Sequence, residues 1–240
     1  NLPGALKISA KIAITRLPAS HETTESVCIK EYKYPSSFKR FLYSFCNSPS
    51  RRAWFAAHGF IALNVKTPKP IALLEEKRFG ILRKSFIIMD DISNYSPCNK
   101  YVAEKFKNPH NKINRRMKNS FISHLALSFR QLHDCGIYHA DLKANNIIIM
   151  ELQGGWHFYY LDLDRVRFNK KITSREMVKN LSQLNASIPN CITSVDRLRF
   201  YHMYSGTKNI NTENKQILKA IIQLSMQRKH IWVLKTQAFK

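Results

Sequence analysis

The chain has 240 residues, enough for one large domain or two lobes with a real core, and its 44% hydrophobic content is ordinary for a globular protein. Lys and Arg number 39 against 16 Asp and Glu, a formal net charge of +23. This excess says little about fold and much about partners: nucleic acid, an anionic membrane face, and a phosphorylated or carboxylated substrate all fit. Five cysteines with no CxxC pair exclude a disulfide framework and a cysteine zinc site, and suit a reducing compartment. No apolar run reaches the ~20 residues of a membrane span. The first residue is Asn rather than Met, so the sequence leaves a targeting segment open.

In chain order, LKISAKIAITRL (6–17) alternates loosely as strand, HETTES (21–26) reads as a polar turn, and VCIKEY (27–32) is a second strand with Lys30 at its end. SRRAWFAAHGFIAL (50–63) reads as a helix with Ser50 as N-cap and Trp54, Phe55, His58 and Ile61 on one face. Residues 69–91 read as two strands around a turn near Arg78–Gly80. NYSPCN (94–99) is the linker candidate. Ile113, Met117, Phe121, Leu125, Phe129 and Leu132 stripe a long helix that stops at Cys135–Gly136. NIIIME (146–151) and WHFYYLDLD (156–164) form a hairpin around a QGG turn. Helices follow behind the Thr173/Glu176 capping box, behind Thr193/Asp196, and through Ile217, Ile221 and Leu224. Strands with one helix precede a mainly helical half, which predicts an α+β protein with a small antiparallel lobe over 1–92 and a helical lobe over 93–240.

The densest chemistry lies in HADLKANNIII (139–149). Phosphoryl transfer from ATP requires a lysine on the phosphates, a carboxylate to take the hydroxyl proton, and an Asn and an Asp to hold Mg²⁺. Lys30, Asp141, Asn146 and Asp162 supply these residue types.

LHDCGIYHADLKANN (132–146) resembles the protein-kinase catalytic loop, with His139, Asp141, Leu142, Lys143 and Asn146 on the expected offsets, and YLDLD (160–164) resembles the metal-binding segment. Ala140 replaces the Arg that pairs with a phosphorylated activation loop in regulated kinases. Across nearly the whole chain, segments such as TPKPIA, DLDRVRF, NLSQLNASI and DRLRF resemble the bacterial lipopolysaccharide core kinases, which phosphorylate Kdo or heptose. The resemblance implies a bilobal protein-kinase-like fold and a location at the cytoplasmic face of the inner membrane.

Carried onto this sequence, the resemblance makes Asp141 the base and Lys143 a neutralising cation. Asn146 and Asp162 become Mg²⁺ ligands, and Lys30 reaches the ATP phosphates. Met89, Asp90, Asp91 and Ile92 become the adenine hinge. No GxGxxG is present, so Ser9 and Lys11 are the candidates for the phosphate-covering loop. The helix at 50–63 carries no acid, which leaves Glu75, Glu76 or Asp162 as partner of Lys30. Asp164, where protein kinases have Gly, binds metal or pairs with Arg165 or Arg167. The implied partners are a lipopolysaccharide core or lipid A-linked sugar and an anionic membrane surface, with neither nucleic acid nor an obligate protein partner expected. The alternatives are a protein kinase of the same fold and a basic pseudokinase that binds polyanions without turnover.

Overall fold

The computed structural model describes residues 5–8, 12–17, 26–107, 112–207 and 209–228. The chain divides into two compact units, Asn1–Asn94 with Leu161–Val166, and Tyr95–Tyr160 with Arg167–Lys240.

The first unit is built on an antiparallel sheet of order β1-β2-β3-β5-β4. Its strands are β1 (Ala5–Ile8), β2 (Ile12–Leu17), β3 (Val27–Lys33), β4 (Pro70–Arg78) and β5 (Ile81–Asp90). The single alternating stretch 6–17 is thus two strands. The turn expected over 21–26 lies, apart from Ser26, outside the described residues. The β4–β5 turn falls where predicted, with Arg78 opposite Ile81 and only Phe79 and Gly80 between them.

Two helices, not one, accompany this sheet: α1 (Ser37–Phe45) and α2 (Pro49–Ala62). The N-cap of α2 is Ser48, whose hydroxyl accepts from the Arg51 amide at 3.2 Å, with Pro49 at the first helical position. Ser50 is instead buried and bonded to Ser48 Oγ at 2.7 Å. The buried face of α2 is Ala53, Ala56, Ala57 and Phe60, while Phe55 and Ile61 are exposed. Small residues let this helix pack closely, and their weak hydrophobic signal concealed the face that the bulkier residues seemed to mark.

The second unit contains α3 (Cys98–Phe106), α4 (Lys112–Asp134), α5 (Ser174–Ser187), α6 (Ser194–Ser205) and α7 (Thr212–Met226). A small sheet joins β6 (Ser96–Pro97) to the hairpin β8 (Ile147–Leu152) and β9 (Gly155–Tyr160). The short strand β7 (Ile137–His139) follows α4. Tyr101, Phe106, Phe121, Trp156 and Phe158 form an aromatic cluster with ring centroids 5.3–6.0 Å apart. Phe129 and Leu132 extend this core along α4 with no exposed surface. Both predicted capping boxes are present, Thr173 with Glu176 and Thr193 with Asp196. Gly136 ends α4 in the left-handed region, φ 69°, and a Cβ there would stand 1.9 Å from the Asn169 carbonyl oxygen. Only glycine fits that position.

Candidate active site

In the helical unit, the polar loop between β7 and β8 is pinned from both ends. Leu142, Ile147 and Ile149 are buried, and Ala144–Asn146 makes one 3₁₀ turn. The turn lets the chain present polar groups while its apolar neighbours stay in the core. His139 is fully buried, and its Nδ1 accepts from the Asp141 amide at 3.1 Å, so it orders the loop rather than reacting.

Three sequence-predicted residues converge here. Lys143 Nζ donates to Asp141 Oδ2 at 2.8 Å. Asn146 Nδ2 donates to the same oxygen at 3.2 Å and to the Asp141 carbonyl at 2.9 Å. Both bonds fix one carboxylate oxygen of Asp141 and fix the orientation of the Asn146 amide. The Asp141 and Lys143 side chains remain 38% and 43% exposed, open to a ligand.

Helix α5 supplies support that the sequence reading overlooked. Asn180 Nδ2 donates to the His139 carbonyl at 2.6 Å, and Gln183 Nε2 to the Ala140 carbonyl at 2.6 Å. The Leu142 amide donates to Gln183 Oε1 at 3.0 Å, and the Ala144 amide to Ser187 Oγ at 2.8 Å. Asn180, Gln183 and Ser187 stand at i, i+3 and i+7 on one helical face. The available signal was amide side chains on the face that also carries Leu184 and Leu181. Behind Asn180, its Oδ1 meets His133 Nε2 at 3.2 Å, and His133 Nδ1 meets the Tyr204 hydroxyl at 2.7 Å. Burial holds the His133 imidazole below its ordinary pKa, so it is neutral at pH 7.

In the sheet unit, Lys30 lies mid-strand in β3 rather than at the strand's end, because pairing continues to Lys33, and it is only 7% exposed. Its Nζ pairs with Asp162 Oδ1 at 2.6 Å and lies 5.1 Å from the Tyr32 ring centroid. Burial opposes the ammonium charge, but Tyr32 and the Asp162 carboxylate more than offset it, and Lys30 titrates above an ordinary lysine. The acidic partner left open by the sequence is therefore Asp162. Glu75 is taken by Arg51 in a bidentate pair of 2.8 and 2.7 Å.

Asp162 follows the end of β9 and has a left-handed backbone, φ 57°, at the start of the 3₁₀ turn Leu163–Arg165. Asp tolerates that region better than most residues. Arg52 of α2 donates to the Asp164 carbonyl at 3.0 Å and so holds this turn. Arg167, considered as a partner of Asp164, pairs instead with Glu176 at 2.7 Å. At the expected hinge, the Asp90 amide donates to the Lys69 carbonyl and the Asp91 amide to the Ser26 carbonyl. Asp91 also accepts from Ser26 Oγ at 3.0 Å and pairs with Arg16, which makes it a structural anchor. Ser9 and Lys11 lie outside the described residues.

A cavity of about 310 Å³ opens elsewhere in the helical unit, among α4, α5, α6 and α7, with Phe121, Leu125, Leu184, Ile188 and Ile221 in its walls. None of Asp141, Lys143 and Asn146 lines it. No helix among the described residues is long and apolar enough to cross a membrane.

Comparison with known proteins gives this geometry a context. Residues 37–204 match the lipopolysaccharide kinase (Kdo/WaaP) family. The lipopolysaccharide core heptose(I) kinase WaaP of Escherichia coli K12 is 28% identical over 160 residues, which is 65% of this chain and 59% of that protein. A second Escherichia coli protein of the same name is 27% identical over 158 residues, 64% of this chain and 58% of its own length. The chain thus spans just under three fifths of the length of these relatives. Among solved structures, WaaP in complex with acyl carrier protein superposes with a TM-score of 0.69 at 15% identity, covering 93% of this chain and 87% of that one, a likeness of fold. The spacing of the Asp141–Asn146 loop and the mixed sheet-and-helix fold agree with that family match: the chain belongs to the lipopolysaccharide kinase (Kdo/WaaP) family.

Proposed function

We propose that this chain transfers the γ-phosphoryl group of ATP to a hydroxyl of an inner-core lipopolysaccharide sugar, heptose or Kdo. The carrying observation is the Asp141–Lys143–Asn146 constellation, held by α5, in a chain of this family. Heptose is the favoured acceptor, because the relatives matched over most of this chain are heptose(I) kinases.

In this reading the acceptor hydroxyl attacks the γ-phosphorus and gives its proton to Asp141. A new oxygen–phosphorus bond forms, the bond to the β,γ-bridging oxygen breaks, and ADP leaves. The bonds from Lys143 and Asn146 fall on Asp141 Oδ2, which leaves Oδ1 for the acceptor. Lys143 screens charge on the transferring group, and Lys30, kept cationic by Asp162, binds the nucleotide phosphates. Catalysis then comes chiefly from positioning and charge stabilisation. The Met89–Ile92 segment borders the adenine and contacts it through groups other than the Asp90 and Asp91 amides.

Asn146 and Asp162 fit a magnesium ion by donor chemistry. Asn146 Nδ2 is committed to Asp141, so its amide oxygen is the atom that turns to an ion, and Asp162 adds a carboxylate. An ion held by these two residues would take phosphate oxygens and water for the rest of its shell. Bound Mg²⁺ would neutralise charge on the β- and γ-phosphates.

The charge of +23 suits an acceptor rich in phosphate and carboxylate at an anionic inner-membrane surface. The test uses labelled ATP, Mg²⁺ and purified core oligosaccharide. Label on the sugar, lost in Asp141→Asn, supports the proposal. Label on protein instead would favour the protein-kinase alternative. Salt-sensitive polyanion binding without turnover would favour the pseudokinase.

A further inference from the structure

Helix α1 carries Phe38, Phe41, Leu42 and Phe45 at i, i+3, i+4 and i+7, the spacing of a core-facing stripe. The stripe faces solvent instead. Phe38 is 73% exposed, Phe41 56%, Leu42 41% and Phe45 79%, and no residue of α1 is fully buried. The opposite side is the one attached to the unit. Ser44 Oγ accepts from the Leu82 amide at 2.8 Å, Arg40 donates to the Tyr34 carbonyl at 2.6 Å, and the Tyr43 ring lies 5.4 Å from that of Tyr34.

An independent feature lies at the same end of the sheet. The two-residue β4–β5 turn has positive φ at both positions, 51° at Phe79 and 75° at Gly80, a geometry that favours Asn-Gly. Phe is a strained choice there, and it buries nothing, being 92% exposed. At such exposure the fold gains little from this side chain, so its reason lies outside the fold. The Leu82–Ser44 bond brings this turn and the Phe45 end of α1 together. Basic residues accompany both: Lys39 on α1, and Arg78 and Arg83 beside the turn, with Lys77 and Lys84 next to them in looser pairs with Glu75 at 3.6 Å and Glu31 at 3.9 Å. Arg78 covers the Phe79 ring at 5.5 Å.

We infer that the aromatic face of α1 and the Phe79 turn form a membrane-docking surface that inserts into the headgroup region of an anionic bilayer. Aromatic side chains enter the interface while the lysines and arginines beside them meet lipid phosphates, two signals that together suffice for peripheral attachment. This assigns a surface to the membrane association proposed above, but it does not depend on phosphotransfer and is measured without ATP.

The test is co-sedimentation of the whole protein with vesicles rich in phosphatidylglycerol and with neutral phosphatidylcholine vesicles. The wild type is expected to bind the anionic vesicles, and added salt to weaken binding. Phe79→Asn should lower the partition coefficient about tenfold, and Phe41→Ser with Phe45→Ser about a hundredfold, from the apolar surface each Phe withdraws from water. Phe79→Asn should also raise the melting temperature, because Asn suits the turn, so loss of binding is separated from loss of fold. Ile113→Ser, which removes an exposed apolar residue of the helical unit, should bind as wild type. The inference is overturned if the Phe variants sediment with vesicles as the wild type does. It is equally overturned if the wild type is a lipid-free dimer that the Phe substitutions dissociate.

Discussion

Removing the charge of Asp162 isolates the Lys30 ammonium inside the sheet unit. Lys30 is 7% exposed and its Nζ is 2.6 Å from Asp162 Oδ1. Breaking a fully buried pair costs about 3–5 kcal/mol. The Asp162 side chain is 42% exposed, however, so water screens this pair, and about 2 kcal/mol is the expected loss for Asp162→Asn. Asn is the right probe because it tolerates the left-handed backbone at this position, φ 57°, so backbone strain does not contaminate the measurement. For a chain of this size the loss lowers the melting temperature by about 4–8 °C. Lys30→Met, which removes the buried charge and keeps the packing, should cost less than about 1 kcal/mol, because Asp162 can be solvated. The double variant should then match Lys30→Met, so the coupling in the double-mutant cycle should equal the Asp162→Asn loss, about 2 kcal/mol. Thermal melts of all four proteins by circular dichroism measure it. A double variant as unstable as the sum of the single ones would refute the pairing argument.

Four further outcomes follow from the same geometry. Asp141→Asn should lower the transfer rate by about 10²–10⁴-fold with ATP affinity retained, read by single-turnover labelling beside nucleotide titration. Gln183→Ala leaves the Ala140 carbonyl and the Leu142 amide without their side-chain partner, and about 1–3 kcal/mol of loop order should be lost, seen as faster amide exchange over 139–146 and a lower kcat. Gly136→Ala should be among the most destabilising single changes, because its methyl meets the Asn169 carbonyl at 1.9 Å and φ stays positive; failure to accumulate folded protein is the expected readout. The folded pKa of His133 is depressed, so its stabilising contribution is complete above the unfolded value of about 6.5 and is lost as pH falls towards the lower folded value. Urea midpoints measured downward from pH 7 should therefore decline, and His133→Gln should flatten that part of the decline.

The Asp141 loop was legible as a cluster because its polar groups are local. Asp141, Lys143 and Asn146 lie within six residues, and the Ile run after them marks the anchoring strand. Helix starts at Thr173 and Thr193 were legible for the same reason, since a capping box spans only four residues. Partners distant in sequence were only partly legible. Asp162 stood among three acids open as the partner of Lys30, 132 residues away, with nothing local to choose among them, and Gln183, 41 residues from Leu142, carried no local signal. Helix α2 was found but its buried face was misread, because its alanines carry less signal than Trp54 and Phe55. Helix α1 was missed altogether. It is short and contains no buried residue, so the usual correlation between an apolar stripe and the core fails there.

The central claim is that the Asp141 loop phosphorylates an inner-core sugar. Mass spectrometry of core oligosaccharide from cells that carry the wild-type chain, the Asp141→Asn chain or neither tests it most directly. The account predicts one additional phosphate on a core heptose or Kdo with the wild-type chain alone. Identical core phosphorylation in all three would contradict it.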